Sequence, residues 1–389
     1  MLRRVVAAVC FIIALNGYEA AKAQIVTTPN IDQLCKSASK LTYRKTIVYV
    51  DLAAVRISKL DWGLTILNRL ELAPREPIVI LAVNPNNFEI TEVFDSCLPT
   101  YTTAEVEDAR KSRGLWDKLV SPDPADQQRE NLQTFDARLR NALDRVISES
   151  KKYQDGQRQD ILGAIAFDKN RYLDQNTFYR VIVYTDGTIK EPGGDSSSSG
   201  ESQLQDILGK RYAVNFSGAK ITVFGINAQD DALQTKEQIF SAFFLKNWGQ
   251  LDSFASSLSQ QGQYLYPPAL RMDGSFEGGG TEGSAKFALF SPKEGNFADG
   301  WFAFNTGRET LYVPFQGEYH CAAEECRLVA TCSQTVPPES SSPYFRKGDR
   351  VLLTGGPSHS FEGSLQADSP EVFKDEKQKV KYALKFSAK

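Results

Sequence analysis

Lys45-Thr-Ile-Val-Tyr-Val-Asp51-Leu-Ala-Ala-Val55 and, far downstream, Arg180-Val-Ile-Val-Tyr-Thr185-Asp186-Gly187 decide how this chain reads. Each is a short run of β-branched and aromatic residues without polar alternation, the pattern of a strand buried on both faces of a parallel sheet. Each run ends in an aspartate. The pattern therefore predicts two strands that deliver their carboxylates to one binding edge of the sheet.

Outward from these runs, Pro77 to Val83 reads as another buried strand and Phe88 to Phe94 as an alternating edge strand. Leu60, Leu64, Leu67 and Leu70 recur at helical spacing and predict a helix over Lys59 to Leu72. Leu132, Phe135, Leu139, Leu143, Val146 and Ile147 make one face of a long helix over Gln127 to Tyr153, followed by a short helix from Gln157 to Phe167. After the strand Tyr179 to Thr185, the polar stretch Glu191 to Gly200 predicts a solvated loop. Lys220 to Gly225 is a further strand, leading to a helix that carries Ile239, Phe240, Phe243, Phe244, Trp248 and Phe254. Strands alternating with helices predict an α/β domain over 41–262, built on a doubly wound, mostly parallel, Rossmann-like sheet.

The pattern changes after a linker at 263–270. Short runs punctuated by Gly and Pro, among them Phe287 to Phe290, Trp301 to Phe304, Thr310 to Phe315, Arg327 to Thr331, Val351 to Thr354 and Val380 to Phe386, predict an antiparallel β-sandwich or barrel over 271–389.

Residues 1–23 read as a signal peptide: Met1 to Arg4 is basic, Val5 to Leu15 is apolar but too short to span a bilayer, and Ala21-Lys-Ala23 is a small-x-small cleavage site. Residues 24–40 form a polar, extended lead-in. Export to a periplasmic or extracellular compartment follows, with no integral membrane segment in the mature chain. In such a compartment cysteines default to disulfides, and Cys35 with Cys97 is the preferred pair. Cys321, Cys326 and Cys332 lie beside His320 but lack paired Cys-x-x-Cys spacing, so they read as one disulfide plus a spare thiol rather than a zinc site. The formal charge is −3 and becomes more negative once the basic leader is removed, which excludes nucleic acid as a natural partner.

The order of strand ending in Asp, helix, strand, edge strand, helix, turn and helix, strand ending in Thr-Asp-Gly, strand and helix resembles the von Willebrand factor A domain over roughly 220 residues. The resemblance implies a divalent cation, usually magnesium, held at the carboxyl edge by three loops: Asp-x-Ser-x-Ser, a threonine, and an aspartate. Asp51 matches the first aspartate and Asp186 the third-loop aspartate. The rest departs: Ala53 and Val55 stand in place of the serines, and Gln159, beside Asp160, in place of the threonine. Two carboxylates without hydroxyl neighbours hold magnesium only weakly, through waters, so the metal site is degenerate.

The resulting expectation is a non-enzymatic, exported scaffold that binds a protein of the cell envelope. Its contact edge is formed by Asp51, Gln159, Asp160, Thr185, Asp186 and Gly187. Two alternatives stand beside it: a cation-dependent adhesin with magnesium on Asp51 and Asp186, and a metal-dependent hydrolase. A plainer reading makes both aspartates polar caps for backbone N–H groups. His320 and His359 are the only histidines, both in the C-terminal half, and the chain has no Gly-x-Ser-x-Gly elbow or phosphate-cradling loop.

Overall fold

The computed structural model describes residues 30–387 except 39–43, 58–61, 71, 102, 115–121, 155–158, 174–176, 191–199, 210–211, 259–269, 279–280, 291–296, 306, 308–309, 323–324, 334–344, 357–359 and 367–380. The predicted signal peptide, most of the serine-rich loop, most of the linker and His359 lie outside the described residues.

The first unit is a six-stranded sheet in the order β3-β2-β1-β4-β5-β6. Its strands are β1 (Arg44–Asp51), β2 (Pro77–Asn84), β3 (Glu89–Cys97), β4 (Phe178–Tyr184), β5 (Lys220–Phe224) and β6 (Gln250–Ala255). All neighbouring pairs are parallel except β2 with the antiparallel edge strand β3. The chain starts in the middle and winds to both sides, and the order reverses between β1 and β4. That switch point is where open α/β sheets leave a crevice at the carboxyl ends of their strands.

The unbroken apolar runs are explained by cover on both faces. On one face, Val48 and Val50 of β1 pack with Phe135, Leu139 and Val146 of the long helix α5 (Pro124–Lys152). On the other, Ile47 and Tyr49 pack with Ile161 and Ile165 of α6 (Ile161–Phe167) and with Phe240, Phe243 and Phe244 of α8 (Asp230–Lys246). The start of α5 is fixed by Asp123, whose carboxylate accepts the Ala125 N–H at 2.9 Å, and by Pro124, which has no N–H to satisfy. At the amino ends of β1 and β4, buried Glu76 accepts from Arg44 (2.6 Å), Thr46 (2.6 Å) and Arg180 (3.0 Å), tying β1, β4 and the approach to β2 together.

Several boundaries differ from the sequence reading. The lead-in is not extended throughout: Ile31–Ala38 is a helix, α1, with Ile31 and Leu34 buried and Cys35 bridged to Cys97 of β3. The helix expected over Lys59 to Leu72 is α3 (Trp62–Arg69), preceded by a short α2 (Leu52–Ile57). Helices α4 (Thr103–Ser112) and α7 (Gly200–Gly209) were not anticipated. Phe254 belongs to β6, not to the preceding helix, because α8 ends at Lys246 and the Asn247–Gly249 turn reverses the chain.

The second unit is a closed antiparallel barrel of eight strands in sequential order, β7 (Leu270–Gly278), β8 (Thr281–Phe290), β9 (Phe297–Asn305), β10 (Thr310–Ala322), β11 (Glu325–Cys332), β12 (Arg350–Gly355), β13 (Ser360–Gln366) and β14 (Lys381–Ser387), sealed by pairing of β14 with β7. Leu270, placed in the linker by sequence, is the first residue of the barrel. Phe287, Phe302, Phe315, Phe361 and Phe386 fill the interior, while Arg327, Arg350, Glu362 and Lys385 point outward. Apolar inside and polar outside is the reverse of the alternation of a membrane-spanning barrel. Cys321 and Cys326 are bridged across the β10–β11 hairpin, and Cys332 is a buried free thiol. Among the described residues no helix is long and apolar enough to cross a membrane.

The barrel docks on the amino ends of β5 and β6. Trp248 packs on Trp301, Ala303 and Tyr312, and Gly218 lies so close that a Cβ there would sit 3.5 Å from that of Tyr312. Lys220, the first residue of β5, forms an ion pair with buried Asp299. The carboxyl ends of β1 and β4 are therefore at the rim opposite the barrel.

Candidate functional site

Asp51 is the last residue of β1 and the residue before α2, which makes it the helix N-cap. One carboxylate oxygen accepts the Ala53 N–H at 2.9 Å; the other accepts the hydroxyl of Thr185 at 2.8 Å, bridging the ends of β1 and β4. The hydroxyl of Thr185 in turn accepts the Gly187 N–H at 3.1 Å. Both Asp51 and Thr185 have no exposed surface. Burial pushes the Asp51 carboxyl up to about 7, and the neighbouring charge of Asp186 pushes the same way; the hydrogen bonds from Thr185, Ala53 and Ala54 oppose them.

Asp186 is half-buried at the rim. Its Oδ1 accepts the Thr188 N–H at 2.8 Å, an Asx turn, and lies 3.5 Å from the Gln159 amide nitrogen. Gly187 has φ +72°, a conformation that favours glycine, and its N–H points back to Thr185. Gln159 and Lys190 exchange two backbone hydrogen bonds, 2.9 and 2.7 Å, which clamp the segment before α6 to the segment after β4. Asp160 caps α6 by accepting the Gly163 N–H at 2.7 Å, and its own N–H donates to Pro85, joining the β2–β3 turn to the same rim. The six residues picked from sequence thus fall at one edge, with Asp51 and Thr185 beneath it and Gln159, Asp160 and Asp186 on it.

Lys236 is the member that sequence reasoning missed. It projects from α8, donates to the backbone carbonyl of Asp186 at 3.0 Å, and its stem covers Gly187 so closely that a Cβ there would lie 3.2 Å from Lys236 Cδ. Burial holds its ammonium below the usual lysine range, and the attraction of Asp186 works against that. One signal for it exists: Lys236 stands three and four residues before the core residues Ile239 and Phe240, which puts it on the inward face of α8 near its start.

The cation implied by the resemblance finds no fit in these residues. Both oxygens of Asp51 are engaged and sealed inside the protein. Ala53 and Val55 are buried apolar residues of α2 itself, and among the described residues no three His, Cys, Asp or Glu side chains converge as a ligand set. What the rim displays is the Asp186 carboxylate, the Gln159 carboxamide and the Lys236 ammonium, a hydrogen-bonding surface on a rigid base. No protein-family model matches the chain, and no curated protein is detectably similar to it.

Proposed function

We propose that this chain is an exported, non-enzymatic scaffold whose von Willebrand A-like domain binds a protein of the cell envelope through the rim around Asp186. The observation that carries this reading is the placement of the two units: the barrel docks at the amino ends of β5 and β6, through Lys220 and Trp248, and leaves the carboxyl ends of β1 and β4, with the Asp186 rim, on the far side. Loops that are pinned to a rigid sheet and to one another suit a preformed binding surface. The two disulfides accord with an oxidising compartment.

The metal-based alternatives, adhesin and hydrolase, both need Asp51 to reach an ion. Its two occupied oxygens favour the metal-free reading. Site-specific photocrosslinking in the native envelope tests the proposal. A crosslinker at Thr188 is expected to trap a discrete protein adduct, and one at the outward barrel position Arg350 is not. Adducts from Arg350 alone, or divalent-dependent hydrolysis lost in Asp51→Asn, would overturn it.

A further inference from the structure

We propose that Lys236 is the resident cation of this edge: its tethered ammonium supplies the positive charge that a divalent ion would bring, so the edge works without one. The inference holds whatever partner the rim engages.

Three features carry it. First, the inner carboxylate is turned away from the rim. Asp51 caps α2 and bonds Thr185, so a cation arriving from solvent meets Asp186 but not a second free carboxylate. Second, the place beside Asp186 is taken. Lys236 donates to the Asp186 carbonyl at 3.0 Å and lies across Gly187, the residue whose positive φ brings backbone and lysine stem together. Third, the position of the ammonium is fixed by packing. Lys236 is half-buried one turn ahead of Ile239 and Phe240, which are anchored in the core, so the charge does not swing away as a surface lysine does. A divalent ion brought within a few ångströms of that ammonium is repelled strongly enough, even in water, to weaken its binding by at least about tenfold.

The test uses Mn²⁺ as a paramagnetic probe on the full chain, reading the amide resonances of Gly187 and Thr188 against that of Asp252, an exposed carboxylate on β6. In the wild type, Gly187 and Thr188 are expected to broaden no more than Asp252. In Lys236→Met, which frees the Asp186 carbonyl and removes the positive charge, they are expected to broaden selectively, with apparent affinity raised at least about tenfold. Lys236→Arg keeps the charge and is expected to behave as the wild type, which separates charge from any effect on folding. Adding Asp186→Asn to Lys236→Met is expected to abolish the gain. Selective broadening in the wild type that Asp186→Asn removes, or no gain in a folded Lys236→Met, would overturn the proposal.

Discussion

Replacing Asp51 by Asn tests whether a sealed carboxyl at the end of β1 weakens the fold at neutral pH. The folded protein holds this group at about 7, against an ordinary value of 3.8. Below 3.8 both folded and unfolded chains keep the proton, and the group contributes no pH dependence. Between 3.8 and about 7 the folded chain is protonated and the unfolded chain is not, so stability falls as pH rises. Above about 7 both forms are ionised and the penalty is constant. At about 1.4 kcal/mol for each of roughly three pH units, the full swing is about 4 kcal/mol. Asn has nearly the same shape, accepts the Ala53 N–H as Asp51 does, and carries no charge to desolvate. Its amide meets Thr185 Oγ1, which already accepts from Gly187, and the mismatched hydrogen bond costs about 1 kcal/mol. The variant should therefore match the wild type near pH 4.5, where the wild type has already lost about 1 kcal/mol, and be about 3 kcal/mol more stable at pH 8. Urea unfolding of both proteins from pH 4.5 to 8.5 measures the difference, in which every other titrating group cancels. A wild-type-minus-variant gap that stays constant within about 0.5 kcal/mol across this range would refute the reasoning.

Glu76→Gln strips the charge from a cluster that holds Arg44 and Arg180, and is expected to cost about 3–5 kcal/mol at pH 7 in urea unfolding. Burial alone would raise the Glu76 carboxyl, but the two guanidiniums hold it below its ordinary 4.5, so its contribution is present above that value and the gap to the variant should narrow as pH falls through the lowered value. Lys220→Met leaves Asp299 buried without its ammonium and should loosen the barrel from the sheet, seen as a larger radius of gyration in solution scattering and faster proteolysis between the two units. Removing the Cys35–Cys97 bridge by paired Ser substitution should cost about 4 kcal/mol and removing Cys321–Cys326 only about 2, because the loops they close differ in length, 62 against 5 residues; urea midpoints of the two variants decide it.

The sheet was legible where burial is symmetric. β1, β2, β4 and β5 are apolar on consecutive residues because α5 covers one face and α6 and α8 the other, and that composition survives in sequence as unbroken Val, Ile and Tyr runs. β6 was not legible, since its residues are only partly buried and Phe254 continues the aromatic series of α8; the turn between them is set by Trp248 at φ +62°, held by the docked barrel. In the barrel, β7 and β13 escaped notice because their glycines read as breaks. Gly274 instead marks a close approach of β7 to β14, where any Cβ would collide with the Lys385 carbonyl.

At the edge, the two aspartates were visible because each terminates a recognisable strand, while the chemistry around them was not. Whether a strand-end aspartate caps a backbone or faces a ligand depends on which donors reach it, and those donors come from distant sequence: Thr185 lies 134 residues from Asp51, and Lys236 lies 50 from Asp186. That Ala53 and Val55 are apolar has a structural consequence that explains the rest. With apolar side chains there, α2 buries Leu52, Ala53, Ala54 and Val55 in the core, holds the Asp51 carboxylate inward as its cap, and leaves Asp186 at the rim without Asp51 beside it. A half-buried carboxylate whose inner neighbour is engaged by Ala53 and Thr185 needs one positive charge rather than two, and a lysine from α8 meets that need.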